Sequence, residues 1–201
     1  MSKNTGLELE NDVYRIVSGL VKTNNFLLSP PYVQVHKKKS YYSKDRESNI
    51  ICDVTVEKYW EDPETNPNIV PSIVVVIECK DYSSNIPVDD VEEFHSKLQQ
   101  IGADNTKGIM ITRYGNFQSG ALRYATSKHI SLARILPNDQ LDFLIHMLTP
   151  NHFFSINNQR VNPQNIIKAL TQNNYRSDNG QSFFSTTGDS SLKNTIKSLF
   201  E

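Results

Sequence analysis

The sequence has few of the residues on which small disulfide-linked folds and zinc modules depend. Only two of its 201 residues are cysteines, too few for a disulfide framework or a zinc ribbon. Its five histidines include no H-x-H or H-x-x-x-H pair, which argues against a histidine zinc site. We therefore expect Cys52 and Cys79, which both lie in apolar segments, to behave as small buried side chains.

Common catalytic and targeting motifs are also absent. The sequence has no Walker loop and no G-x-G-x-x-G, and Ser119-Gly120 lacks the preceding glycine of a nucleophile elbow. No apolar run approaches the length needed to span a membrane, and the first five residues lack the apolar core of a signal peptide. We expect a cytoplasmic protein without membrane contact.

The sequence has almost no excess of charge of either sign. A formal net charge of -1 does not by itself favour a nucleic-acid partner, but the distribution of charge is more informative than the sum. Basic residues gather around two tyrosines in residues 36–46. The candidate phosphate-binding residues of this basic segment are Lys37, Lys38, Lys39, Lys44 and Arg46. The alternative is a solvated hairpin tip that resists aggregation.

The most informative stretch is the apolar run that ends in Glu78-Cys79-Lys80. Residues 73–77 read Ile-Val-Val-Val-Ile, which is typical of a strand buried on both faces of a covered sheet. Side chains alternate along a strand, so Glu78 and Lys80 share one face and Cys79 lies on the other. Partial burial of two charged groups is costly unless they are paired, which makes them a site candidate.

A second carboxylate lies in a similar setting upstream. Asp53 is the one acidic residue in the apolar, strand-like residues 50–56. Two carboxylates that converge in a pocket of low dielectric repel each other. Either the pKa of one carboxyl group rises or the pair binds a hard cation such as Mg²⁺. A neighbouring lysine favours metal-assisted chemistry on an anion. A structural ion pair between Glu78 and Lys80 remains the alternative.

The other segments predict an α/β core with a mixed sheet. We predict helices over residues 5–22, 89–102, 119–126 and 140–148, and strands over residues 32–36, 50–57, 73–80, 108–112 and 130–135. The basic segment would join the first two strands as a hairpin. Glu10 lies at the border of the apolar stripe of the first helix. Acidic residues in the first turn of the second helix, Asp89 and Asp90 among them, suit the helix dipole and are not predicted metal ligands.

The last quarter of the chain has a different composition. From residue 150 the sequence is rich in Asn, Gln and Ser, with apolar spacing that suggests short helices near residues 163–170 and 192–199. We therefore divide the chain into a domain over residues 1–149, which carries the candidate catalytic residues, and a mainly helical C-terminal extension over residues 150–201. The role of this extension is open: core packing, a dimer arm or a recognition element.

The pattern Asp53…Glu78-Cys79-Lys80 resembles the D…(D/E)xK signature of the PD-(D/E)XK nuclease superfamily. Residues 6–10 are similar to the G-x-x-F-E start of the Mrr-like restriction endonuclease family, with leucine in place of the aromatic residue. Residues 107–125 resemble the later run of that family, including its Lys-Gly-Ile triplet and its Gly-Ala pair. The resemblance covers residues 6–135, and Cys52 stands where the superfamily name has proline.

This resemblance implies a restriction-endonuclease-like core and a Mg²⁺-dependent DNA endonuclease that acts in restriction or defence. Mn²⁺ would substitute for Mg²⁺. By the resemblance, Asp53, Glu78 and the Cys79 carbonyl would hold the metal, Lys80 would act on the attacking water or the phosphate, and Glu10 would support the metal. DNA and a second copy of the chain are the expected partners. The alternatives are a Holliday-junction resolvase or repair nuclease, and a catalytically silent nucleic-acid-binding or assembly module.

Overall fold

The computed structural model describes residues 5–22, 30–135 and 143–145, together with Ile196 and Phe200. The strands are β1 (Val33–Lys37), β2 (Ser40–Ser43), β3 (Ser48–Ile51), β4 (Val54–Lys58), β5 (Ile73–Lys80), β6 (Thr106–Thr112), β7 (Ser131–Arg134) and β8 (Phe143–Ile145); the helices are α1 (Thr5–Lys22), α2 (Val88–Gly102) and α3 (Ser119–Ser127).

Six strands form one mixed sheet in the order β1-β4-β5-β6-β7-β8. The pairs β1-β4, β4-β5 and β7-β8 are antiparallel, whereas β5-β6 and β6-β7 are parallel. Parallel neighbours need a crossover, and α2 and α3 supply it between β5 and β6 and between β6 and β7. The predicted α/β fold with a mixed sheet flanked by helices is confirmed.

Strand β5 is covered on both faces, as its composition predicts. Val75 and Ile77 belong to the apolar cluster under α1, while Val74 and Val76 belong to the cluster under α2 and α3. The buried residues of α1 recur every four positions from Leu9 to Val21, so one side of this helix faces the sheet. The charged end of β5 therefore emerges from a core that is closed on both sides.

The first strands form a long antiparallel ribbon with a kink. Lys37 pairs with Val54 in the main sheet and Ser40 pairs with Ile51 in the two-stranded sheet β2-β3, so the register runs on unbroken between them. Lys38 donates its backbone N–H to the Asp53 carbonyl at 3.0 Å. Lys38 also has a φ of 54°, in the left-handed region that side chains other than glycine rarely adopt. The kink lies at this pair.

The kink corrects two details of the prediction. The strand predicted over residues 50–57 is divided between β3 and β4, with a break at Cys52 and Asp53. The basic segment is predicted only to connect two strands, but much of it is itself paired in the ribbon, and residues 44–47 form the hairpin tip. Composition cannot show this because a paired ribbon and an open loop tolerate the same polar residues.

The helix predicted over residues 140–148 is wrong for residues 143–145, which form β8. This strand pairs antiparallel with β7, with Leu132 opposite Ile145. A short apolar run such as Phe-Leu-Ile fits either periodicity, and the open edge of β7 offers backbone groups that only a strand can pair with. The other residues of the predicted helix lie outside the described residues.

Two residues of the C-terminal region belong to the core. Ile196 is helical, and both Ile196 and Phe200 are buried in the cluster under α1. Lys58 Nζ donates to the Phe200 carbonyl at 3.2 Å. The short helices near residues 163–170, most of the helix near residues 192–199 and the domain boundary after residue 149 lie outside the described residues and stay predictions. No described helix combines the length and the apolar character needed to cross a membrane.

Two glycines give a matched test of the packing between β6 and α2. A Cβ atom on Gly108 would lie 2.5 Å from Leu98 Cδ1 and 2.9 Å from Phe94 Cε1, whereas one on Gly19 has no described atom within 4 Å. We expect Gly108→Ala to lower the free energy of unfolding by about 1–3 kcal/mol through overpacking. Gly19→Ala should raise it by about 0.5–1 kcal/mol, because alanine is the better helix former. Urea denaturation of both variants measures this, and equal effects would contradict the interface.

Candidate active site

Two carboxylates from different elements share one cation at the kink of the ribbon. Lys38 Nζ lies 2.7 Å from Asp53 Oδ1 and 2.8 Å from Glu10 Oε1 of α1. The other Asp53 oxygen, Oδ2, accepts the backbone N–H of Cys79 at 2.9 Å. Asp53 thus connects α1, the ribbon and the end of β5.

The electrostatics of this acid pair suit a cation. Burial opposes the charge of Lys38, but hydrogen bonds to Asp53 and Glu10 raise its pKa above the ordinary value. Glu10 Oε2 is buried and has no hydrogen-bond partner among the described residues. A buried carboxylate oxygen without a partner is costly and is available to a hard cation. The pair therefore fits a divalent ion with oxygen ligands.

The second acidic group of the site is Glu78, on the face of β5 that α2 covers. Glu78 Oε1 lies 3.5 Å from Lys80 Nζ and 3.0 Å from Nζ of Lys97, a residue of α2. Lys80 Nζ is also 3.3 Å from Asp90 Oδ1 at the start of α2. Burial opposes the charge of Lys80, but the Glu78 and Asp90 carboxylates raise its pKa, so Lys80 is an ammonium ion at neutral pH.

The predicted catalytic residues therefore lie in two adjacent ion-pair clusters. Glu10 and Asp53 are held by Lys38, and Glu78 is held by Lys80 and Lys97. Cys79 links the clusters through its backbone N–H. In the part of the chain that the structure describes, no three His, Cys, Asp or Glu side chains are grouped as a metal site. The structure thus shows neighbouring carboxylates that are paired with different lysines.

Both cysteines are free and protonated. Burial raises the pKa of Cys52 to about 12 and raises the pKa of Cys79 well above its ordinary value. A thiol that stays protonated is a poor nucleophile and a poor metal ligand. Cys79 thus contributes to the site through its backbone.

The five predicted phosphate-binding residues divide into two groups. Lys37, Lys38 and Lys39 each bind a side chain within the protein: respectively, an asparagine of α1, the acid pair and a glutamate of β4. Lys44 and Arg46 are exposed at the hairpin tip. The hairpin packs on α2 through a hydrogen bond of 3.0 Å between Ser43 Oγ and Gln100 Oε1. The tip therefore lies on the same side of the sheet as Glu78.

The glutamate that binds Lys39 is Glu57, which the sequence analysis did not single out. Its side chain is 1% exposed, yet it accepts hydrogen bonds from Lys39 Nζ at 2.6 Å, Tyr41 OH at 2.7 Å and Tyr59 OH, and it lies 3.0 Å from His36 Nε2. Burial opposes its ionisation, but these contacts lower the pKa of Glu57 to about 2. The sequence did offer a signal for Glu57, because it is an acidic residue inside a predicted buried strand that follows a basic segment.

Sequence reasoning also missed the contacts that two residues of α2, Lys97 and Asp90, make with charged side chains of β5. These residues are seven positions apart, or about two turns, on the face of α2 that carries the buried Phe94 and Leu98. Opposite charges on a buried helix face indicate partners on the element beneath. Asp90 does lie in the first turn of α2, as predicted, but its side chain also binds Lys80.

Comparison with known proteins gives one informative match. The family model described as "Restriction endonuclease" (Mrr_cat) matches residues 32–136, a span that includes Asp53, Glu78 and Lys80 but not Glu10. No curated protein is significantly similar to the chain. A crystal structure described as "Protein of Unknown Function AF1548" has 14% sequence identity and a TM-score of 0.44, and the match covers 62% of this chain and 58% of that one. The chain thus spans less than two thirds of that protein.

The Glu57 contacts predict a specific pH dependence of stability. Because folding lowers the pKa of Glu57 from 4.5 to about 2, its stabilising contribution is complete above pH 4.5 and is lost as the pH falls towards 2. We expect Glu57→Gln to lower the free energy of unfolding by about 3 kcal/mol at pH 7, because it leaves Lys39 without its buried partner. The difference from the wild type should shrink below pH 4.5. Glu64→Gln, at an exposed glutamate, is the control, and parallel pH curves for the wild type and Glu57→Gln would refute the prediction.

Proposed function

The chain belongs to the restriction endonuclease family whose model matches residues 32–136, and from this premise we propose that it is a metal-dependent DNA endonuclease of restriction or defence. The observation that carries this proposal is the convergence of Glu10 and Asp53 on one cationic group beside Glu78-Cys79-Lys80. Two carboxylates on one cation next to a further acid and a lysine match the needs of phosphodiester hydrolysis.

Asp53, Glu78 and the Cys79 carbonyl would hold Mg²⁺, with Glu10 in support, and Mn²⁺ would substitute. These groups offer the hard oxygen ligands that Mg²⁺ prefers, and the unpartnered Oε2 of Glu10 is one of them. When bound, the ion supplies a polarised phosphate and a water of lowered pKa.

Lys80 acts as a positive charge in this proposal. Since Glu78 and Asp90 raise its pKa, its ammonium group is suited to stabilising negative charge on the phosphate and orienting the water rather than to removing a proton. Lys97 Nζ lies 3.0 Å from the same Glu78 oxygen, so the carboxylate would keep one ionic partner when Lys80 engages substrate. Asp90 in turn positions Lys80.

DNA is the proposed substrate, and the exposed Lys44 and Arg46 at the hairpin tip are the proposed backbone contacts. Because the chain has a net charge of -1, its DNA binding would depend on local basic residues such as these. We also propose a homodimer, in which two sites would address the two strands.

A catalytically silent nucleic-acid-binding module is the second candidate. The observation that favours it is that both Asp53 and Glu78 are bound by lysines in this structure. A resolvase or repair nuclease would share the metal site with a restriction enzyme and differ in the DNA structure it cleaves. Activity on plasmid, methylated and four-way-junction DNA separates these functions.

Lys80 and Lys97 form a matched pair, because both contact Glu78 Oε1. We expect Lys80→Met to reduce plasmid nicking by about a hundredfold or more, because it removes charge stabilisation in the transition state. Its stability should stay within about 2 kcal/mol of the wild type, because Glu78 keeps Lys97 as a partner. Lys97→Met should reduce nicking much less than Lys80→Met does, because Lys97 acts only through Glu78 and Lys80 remains as a partner of that carboxylate.

Nicking and thermal melting should be measured on the same preparations with Mg²⁺, Mn²⁺ or EDTA. Equal losses of nicking in both variants would remove Lys80 from the mechanism. Wild-type cleavage that persists in EDTA would overturn metal dependence. DNA binding without cleavage of any substrate would favour the silent module.

The hairpin tip predicts the salt dependence of DNA binding. If Lys44 and Arg46 contact phosphates, replacing both with alanine should reduce the slope of log affinity against log salt by about two units, because each lost contact removes about 0.9. Lys22 and Lys107 are exposed lysines on the α1 side of the sheet, and their double alanine variant is the control. An unchanged slope in the tip variant would show that Lys44 and Arg46 do not contact phosphates and that the tip is only a solvated turn.

A further inference from the structure

Lys38 lies between two carboxylates, Glu10 and Asp53, that the proposed function assigns to the metal site. Its ammonium nitrogen lies 2.7 Å from Asp53 and 2.8 Å from Glu10, although these acids come from the ribbon and from α1. Both acids are largely buried, with side chains 16% and 13% exposed, whereas the Lys38 side chain is 44% exposed. Two such carboxylates repel each other unless a cation lies between them.

The position of Lys38 is built into the ribbon. Its φ of 54° is a conformation that lysine adopts only at an energetic cost, and it occurs where the ribbon kinks. The neighbours fix it from both sides, because Lys37 binds Asn11 of α1 and Lys39 binds Glu57 of β4. Lys38 itself donates its backbone N–H to the Asp53 carbonyl at 3.0 Å.

We propose that Lys38 is an internal cation that holds Glu10 and Asp53 together in the metal-free protein and that a divalent ion displaces it. This inference rests on the proposed function, because it takes Asp53 as a metal ligand. An ammonium ion and a divalent cation cannot share one position between the same two oxygens, so the two compete.

The geometry favours exchange over a permanent ion pair. The ammonium group contacts one oxygen of each acid, and Glu10 Oε2 stays buried without a partner among the described residues. A divalent ion satisfies more oxygens at once. The exposed side chain of Lys38 can leave towards solvent without crossing the core, and the freed ammonium group then lies beside the site, within reach of a phosphate. Divalent-ion binding thus makes a phosphate-binding lysine available.

The first test compares Mn²⁺ binding by calorimetry in the wild type, Lys38→Met, Lys107→Met and Asp53→Asn. If the internal pair is formed about nine-tenths of the time, its removal tightens Mn²⁺ binding by about tenfold. Lys38→Met should also melt at a lower temperature than the wild type in EDTA and gain more from Mn²⁺, because the paired acids have lost their cation. Lys107→Met, at an exposed lysine away from the acid pair, should bind Mn²⁺ as the wild type does, and Asp53→Asn should lose binding.

The second test uses the wild-type chain and does not depend on a variant that folds. Acylation of lysines by an N-hydroxysuccinimide ester, read by mass spectrometry, should rise several-fold at Lys38 when Mn²⁺ is added and stay constant at Lys44. The reason is that an ammonium group held by two carboxylates is protected from reaction.

The outcomes separate this inference from the proposed function. Unchanged or weaker Mn²⁺ binding by folded Lys38→Met, or labelling of Lys38 that does not respond to Mn²⁺, overturns the exchange. If the wild type still binds Mn²⁺ and cleaves DNA, the proposed function stands without it. A wild type that neither binds Mn²⁺ nor cleaves DNA overturns both.

Discussion

The charged side chains at the end of β5 are partly buried, and each is paired with an opposite charge from α2. Lys80 and Lys97 both contact Glu78 Oε1, and Lys80 also contacts Asp90. Breaking a partly buried pair leaves an uncompensated charge, which destabilises a protein far more than the loss of an exposed pair. This requirement, together with apolar packing, fixes where α2 lies along β5.

The ribbon contains two acidic sites that differ in how completely they are satisfied. Glu57 is fully buried and has four partners on the ribbon and the start of the following loop, which makes it an anchor for β1 and β4. The Glu10 and Asp53 pair is bound by one lysine and the Cys79 backbone N–H, and Glu10 Oε2 has no partner in the described part of the chain. A saturated site holds a fold together, whereas an unsaturated one has room for a ligand.

The basic segment also divides into residues that are paired within the fold and residues that are not. A run of lysines in a chain of net charge -1 is a natural candidate for phosphate contacts. In the folded protein Lys38 and Lys39 instead neutralise acids that folding brings beside them. The charges at the tip, Lys44 and Arg46, remain exposed. The basic run therefore divides into lysines that neutralise acids within the fold and tip residues that stay exposed.

The sequence alone determined the features that depend on local periodicity. The bounds of α1 and the presence of α2 and α3 follow from helical spacing of apolar residues, and the shared face of Glu78 and Lys80 follows from the two-residue alternation of a strand. The bounds of β5 follow from its unbroken apolar run. Apolar residues at these spacings leave few other ways to bury a continuous surface. The candidate residues Asp53, Glu78 and Lys80 stood out for the related reason that each interrupts an apolar strand.

Only the tertiary structure decided which groups meet. Lys38 lies 28 residues from Glu10 and Lys97 lies 19 from Glu78, and no periodicity connects residues so far apart. The fate of residues 143–145 was decided in the same way, because the unpaired edge of β7 selected a strand from a segment that fits two periods. Charge pairing and edge pairing act through space, so their outcome depends on where the chain has already brought its other elements.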